Sequence, residues 1–194
     1  MLETLIRNLN KYVTLSEEDT RAIEALFTHR KFRKKQYILQ EGDICRNETF
    51  IVKGLTRTYH VDESGQEHIL QFGLDDWWVG DMYSFLTETT SKYNVECLEE
   101  TEVFQITKPN LEKLYTKVPK MERHFRIVIQ NAFIASTNRI SASLAKTALE
   151  RYLEFIDKYP QIEQRVANHH IASYLGITPQ SLSRLRSQAA SQSK

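Results

Sequence analysis

The stretch that decides the architecture reads Asn168-His169-His170-Ile171-Ala172-Ser173-Tyr174-Leu175-Gly176-Ile177-Thr178-Pro179-Gln180-Ser181-Leu182-Ser183-Arg184-Leu185-Arg186. Two short helices crossing steeply need particular residue types at particular places, and this stretch supplies them in order. Ala172 is small where a second helix presses against the first. Gly176 stands at the turn, where φ is expected to be positive and glycine has no Cβ to clash. Thr178 reads as the cap of the second helix, and Pro179 as its first residue, where a missing N–H removes no hydrogen bond. Ile171, Leu175, Ile177, Leu182 and Leu185 form the apolar contact between the helices. Burying Leu182 and Leu185 turns Gln180, Ser181, Ser183 and Arg184 outward near the helix N-terminus, the end that enters a major groove. Arg184 suits bidentate pairing with guanine and Gln180 with adenine, while Ser181 suits a base or a phosphate. Thr178, Ser173 and Arg186 are placed for phosphates, which fix register. An ordinary helical hairpin would satisfy Ala-x-x-x-Gly alone. The cap, the proline and the local charge together predict a helix-turn-helix whose partner is double-stranded DNA.

Charge points the same way. Residues 161–194 carry Arg165, Arg184, Arg186 and Lys194 against one acid, Glu163, whereas the rest holds 22 basic and 24 acidic residues. A basic end on a slightly acidic body is the asymmetry of a chain that meets a polyanion at that end.

Upstream of this segment the texture is helical from Pro119. Val118, Met121, Phe125, Val128, Ala132 and Ala135 follow at helical spacing, and Ile129, Phe133, Ile140 and Leu144 run beside them. Neither glycine nor proline interrupts Lys120 to Tyr159, which predicts a long helix with a break near Ser141-Ala142-Ser143. Two apolar lines mean two surfaces to bury. One packs on the N-terminal body and the other on a second chain, unless both are internal core; the homodimer seam is the favoured expectation.

Residues 31–107 alternate in short runs and hold five of the six glycines, at 42, 54, 65, 73 and 80. Strands are expected around 37–39, 49–52, 55–61, 68–72, 95–98 and 103–106, with Asp62-Glu63-Ser64-Gly65 as a hairpin turn. Glycines at the corners suggest an antiparallel barrel. Residues 1–30 read as two helices, the second starting at Ser16-Glu17-Glu18-Asp19.

The whole chain resembles the Crp/Fnr family of bacterial transcription regulators. The matching residues are Ile38-Leu39-Gln40-Glu41-Gly42-Asp43, Phe50-Ile51-Val52-Lys53-Gly54, Gly65-Gln66-Glu67 through Phe72, Gly80-Asp81, and Ile171 through Arg186. The segment Trp77-Trp78-Val79-Gly80-Asp81-Met82-Tyr83-Ser84-Phe85 is similar to the short Bacteroidetes-type members. The resemblance implies an α+β fold: an N-terminal antiparallel β-barrel (a double-stranded β-helix of the cyclic-nucleotide-binding kind) with flanking helices, a long dimerisation helix and a C-terminal helix-turn-helix. The expected divisions are a sensor at 1–117, a dimerisation helix at 118–145 and a DNA-binding unit at 146–194. It also implies an effector site at Gly80, Asp81, Ser91 and Lys92. Cyclic-AMP-binding members carry Gly-Glu there, with an arginine ten residues beyond the glutamate. Here Asp81 replaces the glutamate, and Ser91 and Lys92 stand where the arginine is needed to pair a buried phosphate. Cyclic AMP is therefore not the expected effector; an unknown small molecule is, or none. Members usually continue into a β-hairpin wing, whereas Ser187 to Lys194 show no strand pattern.

Other constellations carry less. His169-His170 with His124, or His60 with His68, lack a cysteine at zinc spacing and read as ordinary polar residues. Of Trp77 and Trp78, at least one is expected to face a core instead of a ligand. Lys31-Phe32-Arg33-Lys34-Lys35 reads as solvated surface. Phosphate-loop, dinucleotide, nucleophile-elbow and HExxH patterns are all missing, so no enzyme and no cofactor is implied. The N-terminus lacks an apolar signal core, no apolar run is long enough for a membrane span, and Cys45 and Cys97 are too few for a disulfide framework; a cytoplasmic protein is expected. The rival reading is a small-ligand or protein-binding module with a degenerate helix-turn-helix.

Overall fold

A computed structural model describes residues 1–192. It opens with α1 (Leu2–Leu9) and α2 (Glu17–Leu26). Ser16 caps α2 as its sequence predicts: its hydroxyl accepts from the Asp19 amide at 3.2 Å, and the Asp19 carboxylate accepts from the Ser16 amide at 2.7 Å. That exchange satisfies two donors a helix start would otherwise orphan.

The strands follow: β1 (Thr28–Phe32), β2 (Tyr37–Leu39), β3 (Asn47–Lys53), β4 (Thr56–Val61), β5 (Glu67–Gly73) and β6 (Trp78–Val79). After α3 (Met82–Thr87) come β7 (Asn94–Cys97) and β8 (Thr101–Thr107). The expected hairpin is β4–β5, with His60 opposite His68 and the Asp62 carboxylate accepting from the amides of Ser64 and Gln66 in the turn.

The expected antiparallel barrel of the double-stranded β-helix kind takes the form of two four-stranded antiparallel sheets, ordered β1-β8-β3-β6 and β2-β7-β4-β5, whose ladders do not close on each other. The chain passes from β3 in one sheet to β4 in the other through Gly54, at φ 138°, where a Cβ would come within 2.4 Å of Thr101 Oγ1. A backbone turned so sharply leaves one hydrogen-bonded ladder before entering the next, so the sheets stack instead of closing. One core lies between the sheets and beneath the flanking helices, around Phe50, Ile51, Val95, Val103, Ile106, Leu114 and Met121.

The helices that follow are α4 (Lys108–Lys117), α5 (Lys120–Ala145), α6 (Ala148–Lys158), α7 (Pro160–Arg165), α8 (Asn168–Leu175) and α9 (Pro179–Gln192). The break expected near Ser141-Ala142-Ser143 is absent: α5 runs through all three residues, with the Ser143 hydroxyl donating to the Ile140 carbonyl at 2.7 Å. The helix stops instead before Thr147, whose reciprocal cap with Glu150 starts α6. On α5 the first apolar line is buried at Met121 and Phe125 and emerges by Ala132. The second stays out: Phe133 is 71% exposed and Leu144 84%. No helix among the described residues is long and apolar enough to cross a membrane.

A second core, unannounced by any one segment, joins the two ends of the chain. Tyr59, Ile69 and Phe72 from β4 and β5, with Leu55 and Leu74 flanking them, pack with Tyr152, Phe155, Ile162, Ile171, Leu175 and Leu182.

Candidate nucleic-acid interface

The segment from Asn168 folds as read. Gly176 adopts φ 66°, ψ 38°, and the amides of Gly176 and Ile177 return to the carbonyls of Ser173 and Ala172 at 3.1 and 3.0 Å. This left-handed turn ends α8 and swings the chain into α9. Thr178 Oγ1 accepts from the Ser181 amide at 3.1 Å, capping α9, whose first residue is Pro179. Ile171, Ala172 and Leu182 are fully buried, and Leu185 is half-buried.

The six predicted DNA-contacting residues separate into three kinds. Gln180, Ser183 and Arg184 are exposed on one polar face of α9. Thr178 and Ser181 share a hydroxyl–hydroxyl bond of 2.9 Å at the cap. Arg186 turns inward: it bonds Asn168 Oδ1 and pairs with Glu163 at 3.3 Å, so it binds α9 to α8 and α7. Ser173 is likewise turned from solvent, its hydroxyl donating to the Glu67 carbonyl at 2.8 Å and accepting from the Ile69 amide at 3.0 Å. No local signal in the sequence distinguishes these two from the outward set, because their partners lie on other elements. The start of the polar tail, from Ser187 through Gln192, forms the last turns of α9; Ser193 and Lys194 lie outside the described residues.

The predicted effector residues are brought together only in part. Asp81 is buried, and its carboxylate is fully engaged: one oxygen caps α3 through the amides of Tyr83 and Ser84, and the other accepts from Ser91 Oγ at 2.7 Å. Gly80 leads into this cap, whereas Lys92 is exposed. The sequence pattern did not single out Glu48, which is buried beside Asp81 with Oε1 unpartnered. Burial, with the nearby Asp81 charge second, pushes its carboxyl up to about 7. Two acid groups, Asp81 and Glu48, thus lie buried near each other at this place.

Trp77 and Trp78 part company. Trp78 donates to Asn8 Oδ1 at 3.0 Å and packs on Phe50 and Phe125, while Trp77 meets Tyr159 edge-on. Among the described residues no three histidine, cysteine or carboxylate side chains gather as metal ligands. His124 is buried in α5 against Tyr12 and Phe125, and burial lowers its pKa to about 4. Cys45 and Cys97 are free buried thiols, each pushed up to about 11 by burial.

Comparison with known proteins agrees with this arrangement. Residues 29–117 match the model of the cyclic nucleotide-binding domain. Over 186 residues, 89% of this chain and 76% of the relative, the protein is 26% identical to regulatory protein HlyX of Actinobacillus pleuropneumoniae. It is 23% identical over 185 residues to the transcriptional activator protein Anr of Pseudomonas protegens, again 89% of this chain and 75% of the relative. Its fold is similar to FixK2 of Bradyrhizobium japonicum, with TM-score 0.74 at 21% identity over 86% of each chain. The c-di-GMP-responsive regulator CLP of Xanthomonas campestris gives TM-score 0.74 at 13% identity, over 92% of this chain and 93% of that one. These relatives are regulators and not enzymes. With residues 29–117 matching the cyclic nucleotide-binding domain and regulators similar to it along most of its length, the chain resembles the Crp/Fnr family of transcription regulators.

Proposed function

We propose that the protein binds double-stranded DNA sequence-specifically as a homodimer and regulates transcription without responding to cyclic AMP. The observation that carries this reading is the exposed polar face of α9, Gln180, Ser183 and Arg184, on a helix whose opposite side is anchored by the buried Leu182. Side chains in that position reach base edges when a helix enters a major groove. The proposed division is a sensor at 1–117, a dimer helix at 118–145 and a DNA-reading head from 146. Two heads related by a two-fold axis read a near-palindrome with half-sites about one DNA turn apart.

Electrostatics disfavours cyclic AMP in this interior. The cyclic phosphate needs a charge-assisted partner once it leaves water. Asp81 and Ser91 spend their hydrogen bonds on each other and on α3, and Glu48 adds a carboxyl group in the same interior. A different small effector remains the proposed ligand class for Gly80, Asp81, Ser91 and Lys92.

Selection from a random duplex library at physiological salt tests the DNA reading: a palindromic motif supports it, and recovery of no motif favours a binding module that no longer meets DNA. On the selected operator, Arg184→Ala is expected to cost about 1–3 kcal/mol at one base pair per half-site and to relax specificity there alone. Competition binding with single-base operator variants measures it, and an unchanged preference at every position would remove Arg184 from the reading face.

A further inference from the structure

The helix-turn-helix is not suspended from α5 by a bare hinge; it is seated on the sandwich. β5 is an edge strand, which leaves a row of backbone groups open. Ser173 of α8 fills two of them, accepting from the Ile69 amide and donating to the Glu67 carbonyl. One strand further in, Arg57 of β4 is buried beneath the same helix. Its guanidinium bonds Glu96 Oε2 through Nε at 2.7 Å, pairs with both oxygens of Glu67, and meets His170 Nδ1 at 3.1 Å. It also lies 4.1 Å above the Tyr59 ring. His170 is thereby an acceptor facing the sheet, and Glu67 is held from two sides, by its side chain and by its carbonyl. Tyr174 stacks between Phe72 of β5 and Phe155 of α6, with Arg139 of α5 over its ring. At the far end Arg165 donates to the Gly54 carbonyl at 3.1 Å.

Lifting the head would expose Tyr59, Ile69, Phe72 and Leu74, now between 2% and 7% exposed, and would take His170 from the buried Arg57 guanidinium and Ser173 from the edge of β5. The apolar burial and the hydrogen bonds together favour the seated arrangement. The seat leaves Gln180, Ser183 and Arg184 exposed and therefore does not cover the reading face.

We infer that Ser173, Glu67 and Arg57 are positioning residues that set operator spacing: they lock each head to its own sheet, so the separation of the two reading faces is fixed by the sandwich and not by the junction after α5. This rests on the dimeric DNA-binding reading, and it gives Ser173 a role other than phosphate contact and His170 one other than that of an ordinary polar residue. One inserted base pair turns a half-site by about a tenth of a helical turn. A locked pair of heads rejects that change, and a loosened pair follows it.

The test uses the full-length dimer and the variants Ser173→Ala and Ser173→Ala/Glu67→Gln. Native-state hydrogen exchange, which needs no DNA, is expected to show the Ile69 amide protected in wild type and exchanging about tenfold faster in Ser173→Ala, with amides of β8 unchanged. On the selected palindrome with its centre lengthened or shortened by one base pair, wild type is expected to lose about tenfold or more in affinity. The double variant should lose less than about threefold while binding the original spacing almost as well. A wild type indifferent to spacing overturns the inference, as does a double variant that keeps the wild-type preference while its Ile69 amide exchanges freely. Should wild type bind no DNA, the DNA reading fails on its own. The lock is then judged by spin-label distances between position 183 and position 63: one narrow wild-type distribution that broadens in the double variant supports it, and a broad one in wild type overturns it.

Discussion

Phe133→Glu is expected to turn the dimer into monomers and to weaken operator binding by about 10²–10⁴-fold, the advantage that linking two half-site contacts supplies. Ile129, Phe133, Ile140 and Leu144 stand at spacings of four, seven and four along α5 and are all exposed in the single chain, between 44% and 84%. Four large apolar side chains in a row on a 26-residue helix form a patch that an isolated soluble protein seldom leaves in water. The spacing is that of a helical seam, in which each helix inserts its apolar residues into the other. A glutamate at the centre of such a seam would face its own copy across the two-fold axis, and both charges would lose their water. Because Phe133 makes little contact within its own chain, the variant should keep its helix content and its melting cooperativity. Sedimentation equilibrium and operator titration check the two halves of the expectation, with Phe133→Leu as the apolar control. A Phe133→Glu protein that remains dimeric would place the seam on another surface.

Glu48→Gln is expected to stabilise the protein, by nothing at acid pH and by about 1–3 kcal/mol above neutrality. Glu48 is 5% exposed and has an oxygen without a hydrogen-bond partner. Burial raises its pKa from 4.5 to about 7. Between those values the unfolded chain has released the proton and the folded chain still holds it. The contribution of the protonated carboxyl is therefore fully present below pH 4.5 and is lost as pH rises through 7. Glutamine keeps the shape without the charge and removes that loss. Two histidines act in the opposite sense: burial lowers both His124 and His170 from 6.5 to about 4, so their contribution is present above pH 6.5 and lost as pH falls toward 4. In wild type the trends partly cancel between pH 4.5 and 6.5. In Glu48→Gln the acid loss should stand alone and be steeper. Urea unfolding at several pH values between 4.5 and 8 measures this. A gain of equal size at every pH would mean that the ionisation of Glu48 is not what costs stability.

Much of this protein is written locally, and the pieces that were legible are those whose physics spans a few residues. The turn at Gly176, the cap at Thr178, the proline at the head of α9 and the Ser16–Asp19 box are each decided within one helical turn, and all four appear as the sequence states them. The β4–β5 hairpin is fixed by its turn residues, and the exposed apolar line on α5 by helical period alone. Short elements whose partners lie far along the chain were missed or misjudged. β1 and the two-residue β6 have little pattern of their own and exist because β8 and β3 offer them an edge. That the two sheets stay unjoined was not legible, because corner glycines mark where a chain turns but do not say whether the ladders on either side join.

For the candidate site the division is sharper. Sequence by itself determined that α9 presents Gln180, Ser183 and Arg184 on one face, since burying Leu182 leaves those positions outward whatever surrounds the helix. Only the tertiary structure decided that Arg186 and Ser173 turn inward, that Asp81 is consumed by Ser91 and α3, and that Arg57 lies beneath His170. Each of these depends on a partner on another element, and in the Arg57–His170 pair the two residues are 113 positions apart. A polar side chain has several possible partners of nearly equal strength, and which one it meets is set by how the apolar cores bring the elements together, a quantity no local pattern carries.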